Sequence, residues 1–369
     1  MARGRESGQR SMLALVDVEE RIPATHPLRR IKTIADRVLA SMSSTFDAMY
    51  AEGGRPSIPP ERLLKAGFLM ALYTVRSERA FCEELEYNLL YRWFLDMDLV
   101  EPGFDASTFS KNRARLLTHD VARIVFDAVV QEADREQVLS SDHFSVDGTM
   151  IAAAASMKSV RKRDGDSPAP PDDPGNPDVS FRNERRTNAT HASTTDPEAR
   201  LYRKGKGQAS RLAFLGHTLM ENRHGLLVDI TVMSATGTAE RDAALTMIDR
   251  MRDRGGQPVS VGADKGYDTQ GFVAALTERG IQPHLTQNTY DTGTARRTSA
   301  VSDDVAASPG YTVSQRKRKL IEEGFGWMKE IGGLRRTRYR GIARTQMSAY
   351  LTATAYNLLR ISRLLPVGA

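Results

Sequence analysis

A chain of 369 residues is long enough for two or three domains with a sizeable buried core, and 27% charged with 40% hydrophobic residues is an ordinary water-soluble composition. Cys82 is the sole cysteine, which excludes an intramolecular disulfide framework and a zinc site built on cysteine pairs. No apolar run approaches the roughly 20 residues of a membrane span, and the leading MARGRESGQR lacks the apolar core of a secretory signal, so a cytoplasmic setting is expected.

The net charge of +6 is informative through its location. Residues Tyr311 to Thr345 hold ten Lys and Arg against three Glu, an excess of seven that accounts for the whole imbalance. Such a concentration points to phosphate neutralisation more than to solubility.

In chain order, a polar leader precedes an amphipathic helix expected around Leu28–Met49. Pro59 and Pro60 open a second helix with Leu63, Leu64, Gly67, Phe68 and Ala71 on one face. A third helix is expected over 78–90. After Pro102-Gly103, DASTFSKNRARL offers Asp105 or Ser107 as a helix cap, and its polar face carries Ser110, Lys111, Arg113 and Arg115, able to reach phosphates or base edges. A further helix runs from about His119 to Glu136. These helices resemble a helix-turn-helix module and are equally compatible with a plain bundle, so residues 1–137 form a helical N-terminal domain with DNA binding as its expected role.

Around Ser140 the period changes to two. HFSVDGTMI alternates Phe144 and Val146 against Ser145 and Asp147, a strand pattern. Residues 155–210 follow with low hydrophobicity and read as a mobile insertion, Pro/Asp/Gly-rich in the middle and basic at both flanks, with Arg203, Lys204 and Lys206 closing it. LAFLGHTLMEN and GLLVDITVMSA read as a hairpin about Arg223-His224-Gly225. Then come a helix over 239–252, a strand Val259–Ala263 ended by Asp264, a helix over 269–279, a short strand in IQPHLTQ and a closing helix within 342–369. Mixed antiparallel and parallel pairing in an α/β domain spanning 138–369 is the expectation.

The stretch QRKRKLIEEGFGWMKEIGGLRRTRYR, Gln315 to Arg340, organises the rest. If its first half is helical, Arg318, Glu322 and Lys329 stack on one face while Ile321, Phe325 and Met328 dock on a core. Gly324 and Gly326 cost about 1 kcal/mol each relative to alanine, a cost that makes sense if another backbone passes close by or the helix ends early. Asp147 and Asp264 each stand at a strand position with glycine close behind, so taken singly both read as turn residues. Together with Glu322 they form three hard-oxygen carboxylates able to converge at a sheet edge and hold Mg²⁺ or Mn²⁺. Two ions about 3.5–4 Å apart would activate the attacking oxygen and steady the leaving oxygen of an in-line phosphoryl displacement. Arg318 and Lys329 would bind the neighbouring phosphates as cations. Other sites are less well supported: His217 and His224 lack metal-ligand spacing, no serine elbow is present, and Tyr339 among arginines is a poorer candidate as a phenol nucleophile.

These residues carry a resemblance. Asp147-Gly148-Thr149, Ala263-Asp264-Lys265-Gly266-Tyr267-Asp268, and Arg318, Glu322 and Lys329 with Phe325-Gly326-Trp327 between them resemble the Asp-Asp-Glu transposases of bacterial insertion sequences, specifically the insertion sequence 5 group. HASTTDPEARLYRKGKG and GHTLMENRHGLLVD extend the resemblance over most of the chain. Where the family pattern has tyrosine three residues before the arginine, this chain has Gln315. Glu323 adjoins Glu322, and the spacing to Lys329 favours Glu322 as the ligand. The resemblance implies a ribonuclease H-like catalytic core, Asp147, Asp264 and Glu322 as catalytic and metal-binding residues, and a nucleoid-associated bacterial protein. It also implies recognition of terminal inverted repeats in double-stranded DNA, cleavage exposing a 3′-hydroxyl, and attack of that hydroxyl on target DNA, with no nucleotide cofactor. Bringing two ends together implies a homodimer. Arg335, Arg336, Arg338 and Arg340, with Lys111, Arg113, Lys204 and Lys206, are the further expected DNA contacts. The alternatives are a metal-dependent nuclease without strand transfer and a catalytically silent DNA-binding regulator.

Overall fold

The alternation around Asp147 produces strand β1, His143–Ala152, paired along both edges. In the computed structural model, which describes residues 17–50, 57–163, 179–181, 184–203, 208–236, 239–292 and 296–366, β1 stands at the centre of the main sheet. The other strands are β2 (Arg200–Tyr202), β3 (Arg211–Glu221), β4 (Leu227–Ser234), β5 (Ser260–Ala263) and β6 (Gln282–Leu285). Their order is β6-β5-β1-β3-β4: β3 is antiparallel to β1 and to β4, while β5 and β6 run parallel to β1. Three antiparallel strands followed by two parallel ones beside the first is the ribonuclease H-like arrangement. The strand β2 continues the β4 edge, since Ala213 has Ala152 on one side and Arg200 on the other.

The period-two pattern decides which helices lie on which face. Phe144, Val146, Leu219, Val228 and Val261 pack under a helix Ala239–Asp253 and a helix Gln270–Glu278. Ile151, Phe214, Met220, Leu227 and Ile230 face the other way, toward a helix Leu320–Glu330 and a long helix Ile342–Leu364. Asp147, alternating with Val146, is on this second face.

The long helix joins the two halves of the chain. Ala355, Leu358 and Ile361 belong to the core of the N-terminal helices, whereas Met347, Ala349, Tyr350 and Ala353 belong to the sheet's core. It also covers the outer strand β4, a device that blunts an open edge. Asn357 exchanges two hydrogen bonds with the Leu227 backbone (2.7 and 3.0 Å), and Gln346 donates to the Ile230 carbonyl at 3.0 Å. The N-terminal helices are Pro27–Ala40, Pro60–Leu72, Glu78–Tyr87, Ala106–Thr118 and Val121–Arg135, with short turns of helix between them. Pro60 sits in the first turn as expected, and Asp105 is the cap, accepting from the Ser107 and Thr108 amides. The single helix expected over 28–49 breaks after Ala40 and resumes over Ser43–Asp47.

Residues 155–210, read as coreless and mobile, have a core where they are described. Val160–Lys162 pairs with His191–Ser193, β2 joins the main sheet, and Val160, Ala199 and Leu201 are buried with Leu212 and Phe214. Low overall hydrophobicity concealed these anchors, because they are scattered singly among polar residues.

Leu358→Ala removes a fully buried side chain and should cost about 2–5 kcal/mol. Because the helix serves both cores, urea unfolding followed by circular dichroism and by Trp fluorescence should shift together; a variant in which only one probe moves would contradict the shared helix. His284 is buried (1% exposed) and burial, then the neighbouring His143, lowers its imidazole from 6.5 to about 4. The unfolded chain therefore takes up a proton between those values that the folded chain refuses, so this contribution to stability is full above pH 6.5 and is lost as pH falls toward 4. His284→Leu should flatten the fall in unfolding free energy between pH 7 and pH 4; an unchanged pH dependence would refute the assignment.

Candidate active site

Both aspartates stand where parallel pairing ends. The β1–β5 register runs His143–Ser260, Phe144–Val261 and Ser145–Gly262 and ends there, two residues short of Asp147 on one strand and of Asp264 on the other. Beyond Ser145 the strand β1 keeps only β3 as a partner, as far as Ala152. The carboxyl ends of parallel strands, where a sheet changes sense, are where open α/β sheets leave a crevice.

The third element crosses above this point. A helix Pro309–Lys317 and the helix Leu320–Glu330 are joined through Arg318 and Lys319, which keep right-handed helical dihedrals, so the expected continuous helix is instead two helices with a tight joint. Ser314 and Arg318 lie against Gly262, where an added Cβ would be 2.9 Å from the Ser314 hydroxyl. Gly324 lies against Met220, 2.6 Å from its terminal methyl by the same measure. Gly262, Ser145 and Met220 form one row across the sheet, so residues 319–323, Glu322 among them, pass over β1. Gly324 thus answers to a close neighbour, which is a side chain and not the backbone anticipated; Gly326 has open space around it.

Asp147 is half-buried, while Asp264 and Glu322 are exposed. Asp147 accepts from the Gly148 amide at 2.7 Å, and Asp264 accepts from the Gly266 amide at 2.8 Å, the local turn bonding that their glycines suggested. Gly148 itself leaves no room for a side chain: a Cβ there would be 2.8 Å from the His217 ring and 3.3 Å from Glu240. Gln315, at the position of the family tyrosine, ties the Pro309–Lys317 helix to the end of β6. It donates to the His284 carbonyl, accepts from Thr286 at 2.9 Å, and accepts from Arg318 at 3.0 Å.

The basic residues divide into two groups. Arg336 donates to the carbonyls of Ala153 and Ala154, and the backbone around it pairs with Ala152 at the end of β1. Lys329, Arg335 and Arg336 line an open cavity of about 450 Å³ with Met150, Ala152 and Arg211, a residue that sequence reasoning missed. Arg335 pairs with Glu330, and Arg340 and Lys111 are exposed. Two expected DNA contacts are occupied internally. Arg113 pairs with Glu78 and lies 4.7 Å from the centre of the Tyr339 ring, and Arg338 donates to the Val75 carbonyl at 3.0 Å. Arg113 is thus held inward, with little of its guanidinium left for phosphate. Lys204 and Lys206 lie outside the described residues.

Tyr267 and Asp268 were read only as parts of a motif, yet both are buried. Asp268 accepts from the amides of Asn288 (2.6 Å) and Ala300 (2.9 Å) and so holds the following loop.

A sheet of this order is the ribonuclease H-like arrangement, and Asp147 and Asp264 stand just past the end of its β1–β5 pairing. Residues 16–115 match the transposase domain family DUF772, and residues 186–358 match the transposase DDE domain family. Both matches are to transposase domains, and the chain is a DNA transposase carrying a DDE domain over residues 186–358. Among curated proteins none matches. Of solved structures, a piggyBac transposase synaptic complex with hairpin DNA is 9% identical with a TM-score of 0.39, over 93% of this chain and 77% of that one. A Mos1 strand transfer complex is 12% identical with a TM-score of 0.21, over 80% and 84%. A Mos1 mariner paired-end complex with Mn has the same identity and score over 89% and 84%. These likenesses are too distant to bear on individual residues.

DDE chemistry implies a divalent cation, and hard carboxylate oxygens are suitable donors for one. Among the described residues, however, no group of three or more His, Cys, Asp or Glu stands close enough to hold an ion. Nor is any described helix long and apolar enough to cross a membrane.

Proposed function

We propose that this transposase binds the terminal inverted repeats of an insertion sequence of the insertion sequence 5 group, cleaves a strand at each end and transfers the exposed 3′-hydroxyl to target DNA. Asp147, Asp264 and Glu322 are the proposed ligands of Mg²⁺ or Mn²⁺, two ions in all. The N-terminal helices within 1–137 supply end recognition, the domain over 138–369 supplies chemistry, and a homodimer pairs the two ends.

What supports the reading is that β1–β5 pairing ends at Ser145–Gly262, two residues before Asp147 on one strand and before Asp264 on the other, with the helix bearing Glu322 packed on the same face of the sheet. When bound, divalent cations would neutralise phosphate charge and activate the attacking oxygen. The residues of the chain would orient the strand around them. Lys329, Arg335, Arg336 and Arg211 offer one cationic wall beside β1, suited to the backbone of a DNA end. Arg318, anchored by Gln315, is positioned on the opposite side of Glu322 along the chain.

Asp147→Ala, Asp264→Ala and Glu322→Ala should each lower Mg²⁺-dependent strand cleavage by about 10³-fold or more, roughly 4 kcal/mol at the transition state, while leaving end binding in gel-shift assays intact. Normal cleavage by Glu322→Ala would move the third ligand elsewhere, first to Glu323. Incubation of end-bearing DNA with a plasmid target should give joined products; cleaved ends alone would favour the nuclease. Replacing Arg335 and Arg336 with Gln should reduce the slope of log affinity against log salt by about 1–2, since each phosphate contact contributes roughly 0.9. An unaltered slope would remove both from the DNA interface.

A further inference from the structure

The turn between the helices Pro60–Leu72 and Glu78–Tyr87 meets the basic segment around Arg336. Thr74, just past the end of the first helix, is left-handed with φ 56°, and the Val75 amide turns back to the Met70 carbonyl at 2.9 Å. Glycine usually fills such a position, because a β-branched residue is strained there. The Val75 carbonyl accepts from Arg338 at 3.0 Å, a bond between the two halves of the chain.

Beside that bond is an open cavity of about 380 Å³. Thr74 and Arg76 line it from the N-terminal side, and Gly333, Arg336 and Arg338 line it from the basic segment, with Ala154 beyond β1. Three of the lining side chains are guanidiniums and none is a carboxylate. Arg336 and Arg338 give some of their donors to the carbonyls of Ala153, Ala154 and Val75, which fixes both groups without neutralising either. Glu78, in the first turn of the next helix, is engaged by Arg113 and by the Tyr339 hydroxyl at 3.3 Å. Arg76 is exposed and makes no hydrogen bond or ion pair among the described residues. Each guanidinium carries five N–H donors, so most of those in the cavity remain available. Like charges gathered around one cavity repel each other, and a phosphate between them would relieve the repulsion through charge-assisted hydrogen bonds. Arg336 also lines the neighbouring cavity with Lys329, Arg335 and Arg211, so one side chain is common to both.

We propose that Arg76, with Arg336 and Arg338, grips a backbone phosphate of duplex DNA and so extends the cationic wall beside β1 onto the N-terminal helices. This rests on the reading of that wall as a DNA surface. The Arg338–Val75 bond holds the two sides of the grip together, and Arg76 is its member with no other contact to serve. A phosphate contact fixes position on the duplex and reads no sequence.

The test uses the full chain and short B-form duplexes of several unrelated sequences. Arg76→Gln should lower the slope of log affinity against log salt by about 0.9, the share of one phosphate contact. The loss of affinity should be the same on every sequence. Arg76→Lys, which keeps the charge, should restore the slope, and both variants should melt at the temperature of the parent. An unchanged slope in Arg76→Gln, where replacing Arg335 and Arg336 with Gln does lower it, would overturn this inference alone. If neither change moves the slope, the basic segment is no DNA surface and the underlying reading fails first. A loss confined to one sequence would make Arg76 a base contact, and a lower melting temperature would assign it to the fold; either would overturn the inference.

Discussion

Strand β1 loses its parallel neighbour in mid-course, and the architecture of the site follows from that. Up to the Ser145–Gly262 pair it is hydrogen-bonded on both sides; beyond, only β3 accompanies it to Ala152. A carboxylate in the fully paired part of a central strand would be buried with the cost of an unsolvated charge. Two residues past the divergence, Asp147 is half-buried, able to meet water, metal or phosphate while its backbone stays locked in the sheet. Glycines make the surroundings possible. Gly262 admits the Ser314–Arg318 turn, Gly324 admits Met220, and Gly148 yields to His217 and Glu240. Each removes a Cβ where two elements touch.

The same divergence gives the basic segment its place. With β5 gone, the backbone at 335–337 pairs with Ala152 instead, the Thr337 amide donating to the Ala152 carbonyl at 2.9 Å. Arg336 is thereby fixed to the framework by its own side chain as well, and the cavity it shares with Lys329 and Arg335 has one rigid wall. Preorganised cations of this type hold a phosphate without the entropic cost that a free surface arginine would incur. The long helix Ile342–Leu364 closes the assembly by packing on both the N-terminal helices and the sheet.

Much of this was legible in the chain. Period-two runs located β1, β3, β4, β5 and β6, and proline, glycine and cap signals located most helices, because both patterns are local. Asp147, Asp264 and Glu322 could be put forward as a candidate set because motif spacing is also local. What local patterns do not carry is which charged side chain is already engaged. Lys111 and Arg113 are two residues apart on one helix, yet Lys111 is exposed and Arg113 is held by Glu78 and Tyr339, partners supplied by distant segments. Arg211 went unnoticed because nothing in its neighbourhood marks it as lining the same cavity as Lys329. The described parts of 155–210 were read as coreless because a few buried anchors, Val160, Ala199 and Leu201, suffice when a neighbouring sheet supplies the remaining core.

The central claim is that Asp147, Asp264 and Glu322 share metal. Crystals of the protein with a DNA end, grown with Mn²⁺ and measured at the manganese absorption edge, test it most directly. The account predicts anomalous density bridging the carboxylates of Asp147 and Asp264, with Glu322 turned toward it from the overlying helix. Anomalous density bound by other residues, with Asp147 still folded onto the Gly148 amide in the presence of DNA and metal, would contradict it.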